Sequence, residues 1–125
     1  MNKTFRELQK TLKKDSRSLP TLKVALLGDS ATQFLATAIK ATAIDNGYNI
    51  NLFEADYNQV ERQFMDPTSE LYNFKADYIV VFQSTHKLLS RFNKLEVAEQ
   101  QFLAEQRLQF VKMICASTDS KLIYY

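Results

Sequence analysis

Apolar residues gather into four short blocks along the chain, and between the blocks they recur every three or four positions. The first block, Leu22-Lys23-Val24-Ala25-Leu26-Leu27, predicts a strand. Ala31–Asn46 follows with Phe34, Leu35, Ala38, Ile39 and Thr42 at helical spacing, and Asn46-Gly47 is a helix stop. Asn49–Glu54 alternates as a strand near a sheet edge does. Tyr57–Met65 predicts a short helix, Asp66-Pro67 a turn, and Ser69–Phe74 a further helical turn. Tyr78-Ile79-Val80-Val81-Phe82 is unbroken β-branched and aromatic, the pattern of a central strand covered on both faces. Val97–Ala116 then carries Phe102, Leu103, Phe110, Val111 and Ile114 at helical intervals, and Lys121–Tyr125 closes the chain as the last strand. Strands separated by helices imply a parallel sheet with right-handed crossovers, hence an α/β fold built as a three-layer α/β/α sandwich.

Upstream of this core, Phe5, Leu8 and Leu12 lie among Lys, Arg, Glu and Gln, which predicts an N-terminal amphipathic helix from about Asn2 to Lys14. Asp15-Ser16-Arg17-Ser18-Leu19-Pro20 breaks it. Residues 1–20 are thus a helix and linker, and 21–125 the α/β domain. A hydrophobic strand with no return helix after it leads us to expect a truncated piece of a longer polypeptide, with later elements and a further domain beyond Tyr125.

Composition narrows the class. Of the 125 residues, 46% are hydrophobic and 24% charged, which excludes a disordered chain. The net charge is only +2, although Lys3, Arg6, Lys10, Lys13, Lys14 and Arg17 concentrate positive charge near the start. No nucleic-acid motif accompanies that cluster, so no nucleic-acid partner is expected. No apolar run approaches bilayer length, so no membrane span is expected. The single cysteine, Cys115, excludes an internal disulfide and fits a reducing, cytoplasmic setting; its place in a helical pattern predicts a buried or half-buried thiol.

In an open parallel sheet, ligands bind beyond the carboxyl ends of the strands where strand order reverses. Asp29 and Ser30 end the first strand; Glu54, Asp56 and Tyr57 end the second; Gln83, Ser84, Thr85 and His86 end the third and are read as a loop. Ser30 follows Gly28-Asp29 at the end of a buried strand, which suits either a nucleophile or, with Asp29, a cap for the next helix. His86 reaches Ser30 as a base only if the first and third strands are neighbours, as in a flavodoxin-like order. Asp29, Glu54 and Asp56 offer oxygen ligands, but carboxylates so separated carry no metal signature, and no metal site is assigned. Phosphate-loop and dinucleotide fingerprints are absent, and Gln83 stands where a phospho-acceptor aspartate would be needed.

Three stretches carry a resemblance: Lys23-Val24-Ala25-Leu26-Leu27-Gly28-Asp29-Ser30-Ala31-Thr32-Gln33, Asn51-Leu52-Phe53-Glu54-Ala55-Asp56-Tyr57, and Asp66-Pro67-Thr68-Ser69-Glu70-Leu71-Tyr72. From about Leu22 to Tyr125 the chain resembles the N-terminal region of FkbH-like proteins, in which an SGNH-hydrolase-like α/β domain precedes a catalytic domain of the haloacid dehalogenase class. The resemblance implies that the whole protein loads a phosphoglycerate-derived three-carbon unit onto an acyl carrier protein, with magnesium in the downstream domain. No cofactor is implied for this domain itself. The Asp-x-Asp motif of that catalytic domain does not occur in this chain.

Gly28-Asp29-Ser30 matches the first hydrolase block, whose serine is the nucleophile. Where the family has Gly-x-Asn-Asp, Gln83-Ser84-Thr85-His86 stands instead, and the Asp-x-x-His block is absent. The leading expectation is an accessory module that positions an acyl carrier protein or its own downstream catalytic domain, the basic N-terminal face suiting an acidic carrier. The rivals are an esterase or acyl-transfer domain using Ser30, and an inert structural domain.

Overall fold

The computed structural model describes residues 3–14, 18–56 and 58–124. Asn2, the Asp15–Arg17 part of the linker, Tyr57 at the end of the second strand, and Tyr125 lie outside the described residues. Among the described residues the elements follow in the order α1 Phe5–Thr11, β1 Thr21–Gly28, α2 Gln33–Asp45, β2 Asn49–Glu54, α3 Val60–Met65, α4 Glu70–Phe74, β3 Tyr78–Phe82, α5 Thr85–Lys94, α6 Val97–Gln100, α7 Leu103–Ser117 and β4 Lys121–Tyr124. The strands form one parallel sheet in the order β2-β1-β3-β4. The first and third strands are therefore neighbours, and the order reverses between them.

Strand alternation divides the core into two layers. On one face Ala25, Leu27, Ile79 and Val81 pack with Val60 and Phe64 of α3, Leu71 of α4 and Ile114 of α7. On the other, Val24, Leu26 and Val80 meet Ala36, Leu35 and Ile39 of α2. Helices thus flank both faces of the sheet. Outside α2 lies α1, its Phe5 ring set edge-on to Phe34 at 5.2 Å. Lys3 and Lys14 of the basic N-terminal segment both pair with Asp45 at the end of α2.

The end of α2 is a paired-turn cap. Gly47 has φ +85°, its N–H donates to Ile44, and the Tyr48 N–H reaches back to Ala43 at 2.8 Å, so the last carbonyls of the helix are satisfied.

Three expectations change. The segment after β3, read as a loop, is the helix α5, which places Thr85 and His86 in its first turn. The long helix expected over Val97–Ala116 is two helices, because the Phe102 N–H bonds three residues back to Glu99 and tightens the chain between α6 and α7. Cys115 is exposed, since α7 turns Ile114 to the sheet and its neighbour away.

Candidate functional site

The site is built around the turn that follows β1. Gly28 is its last residue, and the reason for glycine there is space: a Cβ would stand 2.7 Å from Cγ2 of Thr32. Its φ lies outside the left-handed region, so the freedom expected of a turn glycine is not what the position uses. The chain then brings Asp29 against β3, where its N–H donates to the Phe82 carbonyl at 3.2 Å.

Asp29 is 8% exposed, and its carboxylate is fully engaged. One oxygen accepts from the Ser84 N–H at 2.9 Å and the Ser84 hydroxyl at 3.4 Å, and the other from the Ser30 hydroxyl at 3.2 Å. Lys87 Nζ donates to the Asp29 carbonyl. Ser84 in turn caps α5, its oxygen accepting from the Lys87 N–H at 3.3 Å. The capping role expected of Ser30 or Asp29 on α2 is not what forms: the N-cap of α2 is Thr32, with no side-chain cap bond, while the Thr32 hydroxyl donates to Glu54. Asp29 instead ties the β1 loop to the β3 loop.

That tie divides the rim into two clefts. Between β1 and β3 lies a cavity of about 170 Å³ lined by Asp29, Gln83, Ser84, Lys87, Arg91 and Arg107, among others. Gln83 Oε1 accepts from Arg107 Nη1 and from the Tyr124 hydroxyl, both at 2.6 Å, and the Arg107 guanidinium stands 5.6 Å above the Phe110 ring. Beside β2 a second cleft of about 250 Å³ is lined by Ser30, Thr32, Glu54 and Asp56. His86 is exposed, lines neither cleft, and no hydrogen bond joins it to Ser30. Asp29 therefore faces one cleft, and Glu54 with Asp56 the other. Among the described residues no three His, Cys, Asp or Glu side chains converge on a point that could hold a metal ion.

A larger cavity, about 680 Å³, opens at the opposite end of the sheet against Leu22, Tyr78 and Lys121. It contains none of the candidate residues and lies at the amino ends of the strands, away from the crevice where α/β sheets bind ligands. Among the described residues no helix is long and apolar enough to cross a membrane.

The profile of the family described as FkbH, N-terminal domain, matches residues 23–125. The chain belongs to the FkbH N-terminal domain family. A solved structure described as the N-terminal part of the protein BF1531 from Bacteroides fragilis, containing a phosphatase domain and complexed with Mg, is 54% identical, with a TM-score of 0.97. The match covers 99% of this chain and 33% of that one, so the domain spans about a third of its solved relative. No curated protein matches.

Two stretches that carried the resemblance have structural work in this FkbH N-terminal domain. In Glu54-Ala55-Asp56, Glu54 accepts from Thr32, and the Ala55 N–H extends the sheet to the Leu26 carbonyl at 3.0 Å. In Asp66–Tyr72, Asp66 accepts from both the N–H and the hydroxyl of Thr68, which hold its carboxyl below the usual range, the hydroxyl most strongly. The buried Ser69 donates to the Gln63 carbonyl at 2.6 Å, the Leu71 N–H to the Gln63 side chain, and the Tyr72 hydroxyl to the Phe64 carbonyl. These bonds join α3 to α4 and fix the layer beneath the rim.

Lys87, Arg91, Arg107 and Tyr124 belong to the crevice and were not singled out from sequence. The spacing of Lys87 and Arg91, four apart beside Leu88 and Phe92, is the signal that could have found the first two.

Proposed function

We propose that this domain positions a partner for a phosphatase-type catalytic domain and carries out no ester chemistry of its own. Ser30 carries the reading. A serine nucleophile passes its proton to a base, and in the usual triad an imidazole stands between hydroxyl and carboxylate. Here the Ser30 hydroxyl meets the Asp29 carboxylate directly, and that carboxylate is already bound to Ser84. The Gly-Asp-Ser turn thereby holds two loops together, and the SGNH-like outline serves as a scaffold.

The similarity to a fragment described with a phosphatase domain and Mg supports placing the chemistry in another domain. On this reading a haloacid-dehalogenase-class domain with magnesium performs the transfer of a three-carbon unit to an acyl carrier protein, and this domain holds the carrier against it. Among the described residues, the side chains around Ser30 form no metal cage of their own.

The test uses the full natural polypeptide. Ser30→Ala is expected to leave carrier loading intact, and a serine-reactive phosphonate is expected not to label the domain. Titration with an acyl carrier protein at low and moderate salt should show binding that salt weakens. Specific labelling of Ser30, or no carrier binding at low salt, would overturn the reading.

A further inference from the structure

Gln83 is held by its side-chain oxygen alone. Oε1 accepts from Arg107 and from Tyr124, and because a guanidinium can only donate, the amide stands one way round. Gln83 Nε2 then has no hydrogen-bond partner among the described residues. The same holds for Arg107 apart from Nη1, and for the whole Arg91 guanidinium. No polar side-chain atom of the described residues is sealed from solvent without a partner, so these donors are accessible. All three residues line the cleft of about 170 Å³ between β1 and β3, where strand order reverses. Arg107 is nonetheless fixed, by Gln83 and by its place over the Phe110 ring. Arg91 stands one helical turn beyond Lys87, which is tied to the Asp29 carbonyl. Two carboxylates also line the cleft. Asp29 is taken up by Ser84 and Ser30, and the exposed Glu61 of α3 makes no ion pair with either arginine.

We infer that this cleft binds a small carboxylate. A guanidinium is a planar fork that grips a carboxylate through two parallel N–H bonds, and the Gln83 amide adds a further donor. Lys87, Arg91 and Arg107 face Asp29 and Glu61, so the lining carries a single net positive charge. One carboxylate group balances that charge, whereas a phosphate group approaching two negative charges exceeds it. The volume is that of about five or six waters, room for a carboxylate with a few carbon atoms beside Leu88. The start of α5 is not what draws the anion, because the Asp29 carboxylate already takes the Ser84 N–H there. The site is independent of carrier positioning: a carboxylate bound here is a ligand of the domain itself.

The experiment titrates the full natural polypeptide, isotopically labelled at arginine, with acetate, propionate and inorganic phosphate. Chloride keeps the ionic strength constant, so screening does not change during the titration. The NMR signals of the Arg91 and Arg107 Nε–H groups report on the cleft alone, whatever anions another domain binds. Both signals should shift together and saturate at one midpoint for each carboxylate, with phosphate binding more weakly. Arg91→Gln alters an exposed side chain with no partner among the described residues, so its melting should be unchanged. Read at Arg107, it should weaken carboxylate binding by about tenfold or more. Glu61→Gln removes the facing negative charge and should tighten binding by about two- to fivefold. Shifts that never saturate, or an Arg91→Gln variant that binds as wild type does, overturn the inference. Phosphate bound more tightly than either carboxylate overturns the ligand class. Weaker binding by Glu61→Gln would make Glu61 part of the grip, and overturns the charge argument on which the inference rests.

Discussion

A single carboxylate oxygen of Asp29 takes both the N–H and the hydroxyl of Ser84, 55 residues further along the chain. This pair holds the ends of the two central strands together and sets the start of α5. Removing the carboxylate leaves the partly buried Ser84 N–H without that partner, whereas removing the Ser84 hydroxyl keeps the shorter bond. Asp29→Ala is therefore expected to cost about 1.5–3 kcal/mol, and Ser84→Ala only about 1 kcal/mol. Urea denaturation of both variants checks the order, and the reverse ranking would show that the contact does not secure the rim.

Ser30 occupies the other oxygen of the same carboxylate and is partly open to the second cleft. Since its hydroxyl makes one bond to a group that keeps its other donors, Ser30→Ala should destabilise by about 0.5–1.5 kcal/mol. Denaturation measures that cost, and a cost near that of Asp29→Ala would show Ser30 to be a main support of the turn.

How far this was legible varies with the range of the interaction. Tyr78–Phe82 and Asn49–Glu54 have the same bounds in pattern and structure, because a strand's burial is written in its own consecutive residues. The adjacency of β1 and β3 also follows from pattern and connection. The helix α5 escaped, since Leu88, Leu89 and Phe92 face an open groove amid polar neighbours and Gln83–Thr85 read as loop. The break before α7 depends on one bond shifting from four to three residues back, which periodicity does not register. The Asp29–Ser84 tie and the Arg107–Gln83–Tyr124 cluster join residues distant in the chain and have no local signature. The rim residues were nameable one by one; their division between two clefts was not.

Gly28 gives a prediction in which the repair matters more than the damage. An alanine Cβ would press on Cγ2 of Thr32, and Thr32 cannot rotate away without breaking its bond to Glu54. Gly28→Ala should cost about 1–3 kcal/mol as overpacking. Adding Thr32→Ser removes the methyl group and keeps the hydroxyl, so the double variant should recover most of that loss. A double-mutant cycle showing simple additivity would disprove the close approach as the cause.

Gly47 tests the opposite demand, because nothing lies within 4 Å of a Cβ there and only φ +85° requires glycine. Gly47→Ala should destabilise by about 1 kcal/mol, and Gly47→Asn by less, since asparagine tolerates the left-handed region. Equal losses from the two would mean that something other than backbone conformation selects the residue.

Asp66 links a local hydrogen bond to pH. Its carboxyl lies below the ordinary 3.8 chiefly because the Thr68 hydroxyl, and next the Thr68 N–H, donate to it. A carboxyl depressed by folding stabilises the native state fully above its unfolded value, and the contribution disappears as pH falls through the lower folded value. Thr68→Val deletes the hydroxyl and keeps the N–H, so the Asp66 midpoint should rise but remain below 3.8. Glu70, held low by its own N–H and by Gln63, should not move with it. Carboxyl carbon NMR titration of wild type and variant reads both groups at once. The pH-dependent part of their stability difference should be complete above about pH 4 and vanish in stronger acid. An Asp66 midpoint unchanged by Thr68→Val would show that the hydroxyl is not what stabilises the charged turn.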